Sequence, residues 1–312
     1  MGKNERLKFI ALKSNNGNET GMISFFCKML DVSRQAFYDF LKRQNEPWKY
    51  GPLAAEIKKI VSEDECNDTY GKTRMYQALE LKKEKGELPC ELPCENTVKK
   101  VMIEVGMSPK KPRRPKGLTK EDKDAQKSDD LLKRDFTADK PNEKAVTDIT
   151  ELHGSDGKLY VSVDFDCFDL TALGISMDTN MKAPLVVRSL ENAAAAHPEL
   201  KGAIIHSDRG SQYTSKLYRA AIEKYEIRQS MNSAGGRCHD NARCESMWAR
   251  MKEELFYSRG RKTTDYTVEE LKTMIWRYFM SYWNNRRICS SIGGMPPAEK
   301  RRRYYESLKT VA

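Results

Sequence analysis

A chain of 312 residues, 39% of them hydrophobic, has enough material for two domains, one with a substantial core. No apolar run approaches the ~18 residues of a membrane span and no secretory leader opens the chain. This points to a cytoplasmic protein without a membrane partner, in which eight scattered cysteines are reduced rather than paired. Its 55 Lys and Arg against 45 Asp and Glu leave a formal charge of +10, an excess that favours a polyanionic partner.

Residues 22–43 show apolar positions at helical spacing through Leu30, a short Asp31-Val32-Ser33 turn with Ser33 as N-cap, and a second amphipathic stretch to Leu41. The pattern is that of a helix-turn-helix, whose second helix would offer Arg34, Gln35, Lys42 and Arg43 to DNA. An ordinary helical hairpin with a solvated basic face fits the same residues equally well. Helices are expected over 53–61, 72–83 and 97–105, the last closed by Gly106, so 1–107 reads as a small all-helical region. Cys66, Cys90 and Cys94 lack a second matching pair, and the repeated Glu-Leu-Pro-Cys at 87–94 reads as a duplicated loop rather than a zinc site. A basic, proline-rich linker begins at 108, where Lys110, Lys111, Arg113 and Arg114 could neutralise phosphates. A connecting helix over 118–133 then completes a 108–139 segment.

From 140 the periodicity changes. Strands are expected over 145–152, 158–168 and 170–177, the first two joined by an Asp156-Gly157 turn, followed by an Ala-rich helix over 182–196. A strand over 202–206, a helix over 215–225, a strand over 227–231 and a helix over 240–256 complete the series. Three antiparallel strands followed by helix, strand, helix, strand and helix make an α/β ribonuclease-H-like core, a mixed five-stranded sheet with helices, over 140–260. Residues 261–312 form a helical extension with a basic tail. Its aromatic stripe at 276–283 is read as core, Arg286 and Arg287 as phosphate contacts, and the run from Lys300 to Arg303 as a solvated face.

Within that core Asp148 lies in the first, central strand and Asp208 just past the end of the fourth. Glu245 lies on a helix that could cross the same end. Three carboxylates gathered there could hold two metal ions about 3.5–4 Å apart, an arrangement that serves phosphodiester cleavage and rejoining. All-oxygen ligands suit Mg2+, with Mn2+ able to substitute. By helical spacing Trp248, Ala249 and Lys252 share the face of Glu245, so Lys252 could hold a DNA phosphate near the metals. Asp164, Asp166 and Asp169 compete as ligands on composition alone, and His206 is read as a packing or hydrogen-bonding residue.

Flanking sequence separates these candidates. Thr-Asp148-Ile-Thr, His206-Ser-Asp208-Arg-Gly-Ser-Gln-Tyr-Thr-Ser215, Asp240-Asn-Ala-Arg-Cys-Glu245-Ser and Tyr282-Trp-Asn-Asn-Arg-Arg resemble the integrase core of bacterial insertion-sequence transposases of the IS three family. The segment from Leu131 to Phe136 and Gly293-Gly-Met-Pro-Pro297 extend the likeness over nearly the whole chain. The resemblance implies a second-frame product with a retroviral-integrase-like core and a catalytic triad of Asp148, Asp208 and Glu245. It places the family's basic residue on Lys252 and leaves Asp166 outside the triad. It further implies Mg-dependent cleavage and strand transfer at the ends of an insertion element, in a bacterial, nucleoid-associated setting. The partners implied are DNA, further copies of the chain on that DNA, and an upstream-frame helix-turn-helix protein. A catalytically inactive, transposase-derived DNA-binding protein or repressor is the alternative, with a ribonuclease-H-type nuclease as a third reading. The chain departs from the pattern twice: 36 residues separate Asp208 from Glu245, one more than usual, and Ala145 stands where the family carries Trp.

Overall fold

The computed structural model describes residues 2–45, 47–107, 131, 135–231 and 242–311. The chain divides into two compact units, Met1–Ala55 and Glu56–Ala312, instead of separating at residue 107 as expected from sequence. The first unit holds α1 (Lys3–Lys13), α2 (Thr20–Met29) and α3 (Arg34–Asn45) around a buried cluster of Leu7, Ile10, Ile23, Cys27, Val32 and Phe37. Helix α1 escaped the sequence pattern because its buried strip is only Leu7, Ile10 and Ala11 in an otherwise polar segment. The turn between α2 and α3 forms as expected: Asp31 takes a left-handed φ of 52°, and the Ser33 hydroxyl accepts the Ala36 N–H at 3.2 Å.

Helix α4 (Gly51–Glu63) runs across the division. The segment that follows, with α5 (Lys72–Glu84) and α6 (Glu95–Glu104), belongs to the larger unit. Its membership is chemical as well as spatial. Arg74 pairs with Glu254 at 2.8 Å, Asp64 with Arg277 at 2.6 Å, and the Tyr70 hydroxyl accepts the Ile288 N–H at 3.0 Å. None of these partners lies near the segment in sequence, which is why composition grouped these helices with the N-terminal ones.

The sheet comprises β1 (Lys144–His153), β2 (Lys158–Asp166), β3 (Ala172–Asp178), β4 (Ile204–Ser207) and β5 (Arg228–Met231) in the order β3-β2-β1-β4-β5. The first three strands are antiparallel and β1, β4 and β5 are parallel, the arrangement expected of a ribonuclease-H-like core. Strand alternation sends Val146, Leu152, Val161, Val163 and Phe165 to one face, where α10 (Ala242–Leu255) and α11 (Val268–Trp276) pack. Ala145 and Leu173 face the other layer, formed by α7 (Ala183–Ala196) and α9 (Lys216–Lys224), with the one-turn α8 (Ser211–Thr214) between β4 and α9. Ala145, where the sequence departs from the resemblance, is fully buried in that second layer.

Helix α11 continues into a π-helical stretch, Arg277–Trp283, that buries Tyr278, Phe279, Tyr282 and Trp283 against the first layer. The aromatic stripe is thus core, apart from the exposed Trp276. Helix α12 (Pro297–Val311) follows. Its Arg301 is not on the solvated face expected of the 300–303 run: it reaches Asp166 and Asp169, both at 2.7 Å.

Helix α7 approaches the sheet most closely at Gly174, where an added Cβ would lie 2.3 Å from the Ser189 carbonyl and 2.6 Å from the Ala193 nitrogen. Backbone cannot swing aside as a side chain can, so Gly174→Ala should overpack this layer. We expect a loss of about 1–3 kcal/mol or more in urea unfolding. An unchanged midpoint would mean that α7 shifts freely.

Candidate active site

Strand β4 lies parallel to β1 with Val146 opposite His206. Continuing that register by two residues brings Asp208, one residue past β4, level with Asp148 and on the same side of the sheet. Both carboxylates are half-buried. The Asp208 Oδ1 accepts the Gly210 N–H at 2.8 Å, and a Cβ on Gly210 would lie 2.9 Å from that oxygen, so glycine permits the tight turn.

Helix α10 crosses above β1. Glu245 stands in its first turn, exposed to solvent. One turn further, Trp248 Nε1 donates to Asp148 Oδ2 at 3.0 Å, and Lys252 Nζ donates to Thr150 Oγ1 at 3.0 Å. Residues four apart on the helix therefore meet residues two apart on the strand, the spacing at which each element repeats a face.

The carboxyl of Asp148 is pushed up to about 7, first by burial, then by the negative charge of Asp208 and more weakly by Glu245. The Trp248 N–H and the Ile149 backbone oppose the rise. Burial also raises Asp208, against the Gly210 N–H and the charge of His206. Burial lowers Lys252, against the attraction of Asp148 and Glu151. Acidic charge is thus concentrated at one end of the sheet. An all-oxygen donor set in that field suits a hard divalent cation, and Asp148 and Asp208 fit it best. Among the described residues no three His, Cys, Asp or Glu side chains are gathered closely enough to hold a metal. Glu245 contributes charge from the rim.

The competing aspartates have other work. Asp164 is buried and accepts from Ser189 at 2.7 Å. Asp166 accepts the Asn142 and Phe168 N–H groups as well as Arg301. Asp169 accepts the Thr171 N–H and pairs with Arg301. His206 is buried, with Nδ1 2.9 Å from the Ser230 hydroxyl and its ring edge-on to Phe136.

Of the expected DNA contacts, Arg34, Gln35, Lys42 and Arg43 are all exposed on α3. Arg286 is exposed beside Glu63 and Asp64. Arg287 corrects the sequence reading. It has no exposed surface, makes a two-pronged pair with Glu254 at 2.6 and 2.8 Å, and stacks 4.6 Å over Trp283, so it cannot reach a phosphate. Lys110, Lys111, Arg113 and Arg114 lie outside the described residues. Sequence reasoning put Trp248 on the face of Glu245 but gave no sign of its bond to Asp148, and it missed Thr150 and Glu254 altogether.

Two matches to the integrase core domain family model cover residues 138–238 and 225–297. The putative transposase InsK of insertion sequence IS150 from Escherichia coli is 31% identical over 277 residues, which span 88% of this chain and 92% of that one. The chain belongs to the insertion-sequence transposases with an integrase core. A probable transposase of IS1353 from Shigella flexneri is 33% identical over 87% of this transposase, which spans only 50% of that relative's length. The transposase InsF of IS3A from Escherichia coli is 34% identical over 55% of this chain and 58% of its own. Among solved structures, the transposase is similar to the HTLV-2 integrase catalytic core in complex with magnesium, with a TM-score of 0.37 and 14% identity over 97% of that chain. No helix among the described residues is long and apolar enough to cross a membrane.

Proposed function

We propose that this transposase cleaves DNA at the ends of an insertion element and joins the freed 3′ ends to target DNA, using Asp148, Asp208 and Glu245. The observation that carries the proposal is the register of the parallel strands β1 and β4, which sets half-buried Asp148 and Asp208 level with each other, where burial and then crowding push the Asp148 carboxyl up. A protein gains nothing in stability from crowding acids in this way, and a bound divalent cation would relieve it. Asp148 and Asp208 would hold Mg2+ or Mn2+, with Glu245 closing the set from α10. When bound, a pair of such ions supplies Lewis-acid activation of the attacking oxygen and charge stabilisation at the leaving oxygen.

The chain's own residues supply position. Lys252, held on Thr150 two residues along the strand from Asp148, would take a phosphate oxygen of the DNA flanking the reacting bond. Burial disfavours its ammonium, a cost that an anionic partner such as a phosphate would offset better than a hydroxyl does. The exposed Arg34, Gln35, Lys42 and Arg43 of α3, with the exposed Arg286 and the basic residues Lys110, Lys111, Arg113 and Arg114, would contribute DNA affinity that falls steeply with salt. Further copies of the chain on that DNA and an upstream-frame partner belong to the same proposal.

The test is strand transfer on DNA carrying the element's ends, with Mg2+ or Mn2+ and with any upstream-frame product supplied. Activity should disappear in Asp148→Asn, Asp208→Asn and Glu245→Gln. Binding without nicking or joining by the unaltered protein would favour a repressor, and cleavage of RNA–DNA hybrids alone would favour a ribonuclease.

A further inference from the structure

We infer that Trp248 is a positioning residue of the site: its indole N–H fixes the Asp148 carboxylate and, through the same bond, ties α10 to the sheet three residues from Glu245. The inference rests on the assignment of Asp148 and Glu245 proposed above and names a residue that the assignment does not include. Trp248 Nε1 lies 3.0 Å from Asp148 Oδ2, so one carboxylate oxygen is engaged by a neutral donor. A neutral donor suits this place. It orients the carboxylate without adding a positive charge that would compete with a cation.

The indole is itself held. It is buried, edge-on to Phe165 with ring centres 6.0 Å apart and to Phe279 at 5.7 Å. Its N–H therefore has little freedom to seek another acceptor. Helix α10 is fastened at three levels. Glu254 near its C-terminal end is locked by Arg287, Arg74 and Tyr278, Lys252 is tied to Thr150, and Trp248 to Asp148. Of these, Trp248 is nearest to Glu245, three residues away. With Cys244 and Met247 packed in the core beside it, the Trp248 bond is the nearest of these polar ties to the turn bearing Glu245.

Trp248→Phe removes the N–H and keeps an aromatic ring in the cluster. Phe279→Leu erodes the same cluster without touching Asp148. With Mn2+ titrated calorimetrically into the full chain, Trp248→Phe should weaken binding by roughly 10–100-fold, and the Mg2+ needed for half-maximal strand transfer should rise in step. Phe279→Leu should lower the melting temperature and leave Mn2+ affinity within about twofold of the unaltered chain. Wild-type affinity in Trp248→Phe overturns the inference, as does an equal loss in Phe279→Leu, which would make the effect one of packing. If the unaltered chain neither binds Mn2+ nor joins strands, the assignment of the site falls and takes the inference with it. If it does both while Trp248→Phe matches it, only the role of Trp248 falls.

Discussion

Asp148→Asn should abolish strand transfer and, in metal-free protein, raise the melting temperature. The two effects have one cause. The Asp148 carboxyl is pushed up to about 7 by burial and by the charges of Asp208 and Glu245, whereas in the unfolded chain it titrates near about 3.9. Between those values the native state holds a proton that the unfolded state has released, so stability falls as pH rises from about 4 to about 7 and stays reduced above. Asparagine can still accept the Trp248 N–H but never ionises, so it removes that penalty. In EDTA at pH 8 the variant should melt at least about 2–4 °C above the unaltered protein, with the gap narrowing towards pH 4. Activity should meanwhile fall by at least about a thousandfold, on the order of 4 kcal/mol of transition-state stabilisation. Equal melting profiles across that range would contradict an acid held in a crowded field, and residual strand transfer near wild type would sink its catalytic role.

Arg287→Met should have the largest effect on stability. Glu254 is 2% exposed, yet its carboxyl is held down at about 2. Burial raises it, and the charge and hydrogen bonds of the facing Arg287 guanidinium, the charge of Arg74 and the Tyr278 hydroxyl together outweigh that rise. Removing Arg287 leaves a buried carboxylate with only part of its partners, at a cost of about 3–5 kcal/mol in urea unfolding. Pairing Arg287→Met with Glu254→Gln should recover part of that loss, because the stranded charge is removed. The sign with pH is opposite to that of Asp148. A depressed carboxyl stabilises above its unfolded value near about 4.3 and loses that contribution as pH falls towards about 2. The unaltered chain should therefore weaken on acidification through this window, and Arg287→Met should weaken less. A variant as stable as the parent would show that Arg74 and Tyr278 suffice.

The strands and the larger helices of the core were legible because each carries its own period or turn signal. Val146, Leu152, Val163 and Phe165 alternate, Asp156-Gly157 turns the first hairpin, and α7 and α9 present apolar faces at helical spacing. The short helix at Ser211–Thr214 and α1 were not legible, since four residues give no period and three buried positions give a weak one. Arg286 and Arg287 show the same limit at the level of chemistry. Adjacent and identical in type, they have opposite fates: one is exposed beside Asp64, the other sealed against Glu254.

By itself, then, the sequence determined what is local: element type, the succession of strands and helices, and the flanking motifs on which Asp148, Asp208 and Glu245 are proposed as the catalytic acids. Tertiary structure alone decided which charges are shielded. It placed residues 56–107 with the core through Arg74, Asp64 and Tyr70, assigned Asp166 and Asp169 to Arg301, and set Trp248 against Asp148. The reason is range. Hydrophobic period and turn chemistry act over a few residues and leave a mark in sequence, whereas an ion pair or a hydrogen bond across 33 or 100 positions exists only once the chain has folded.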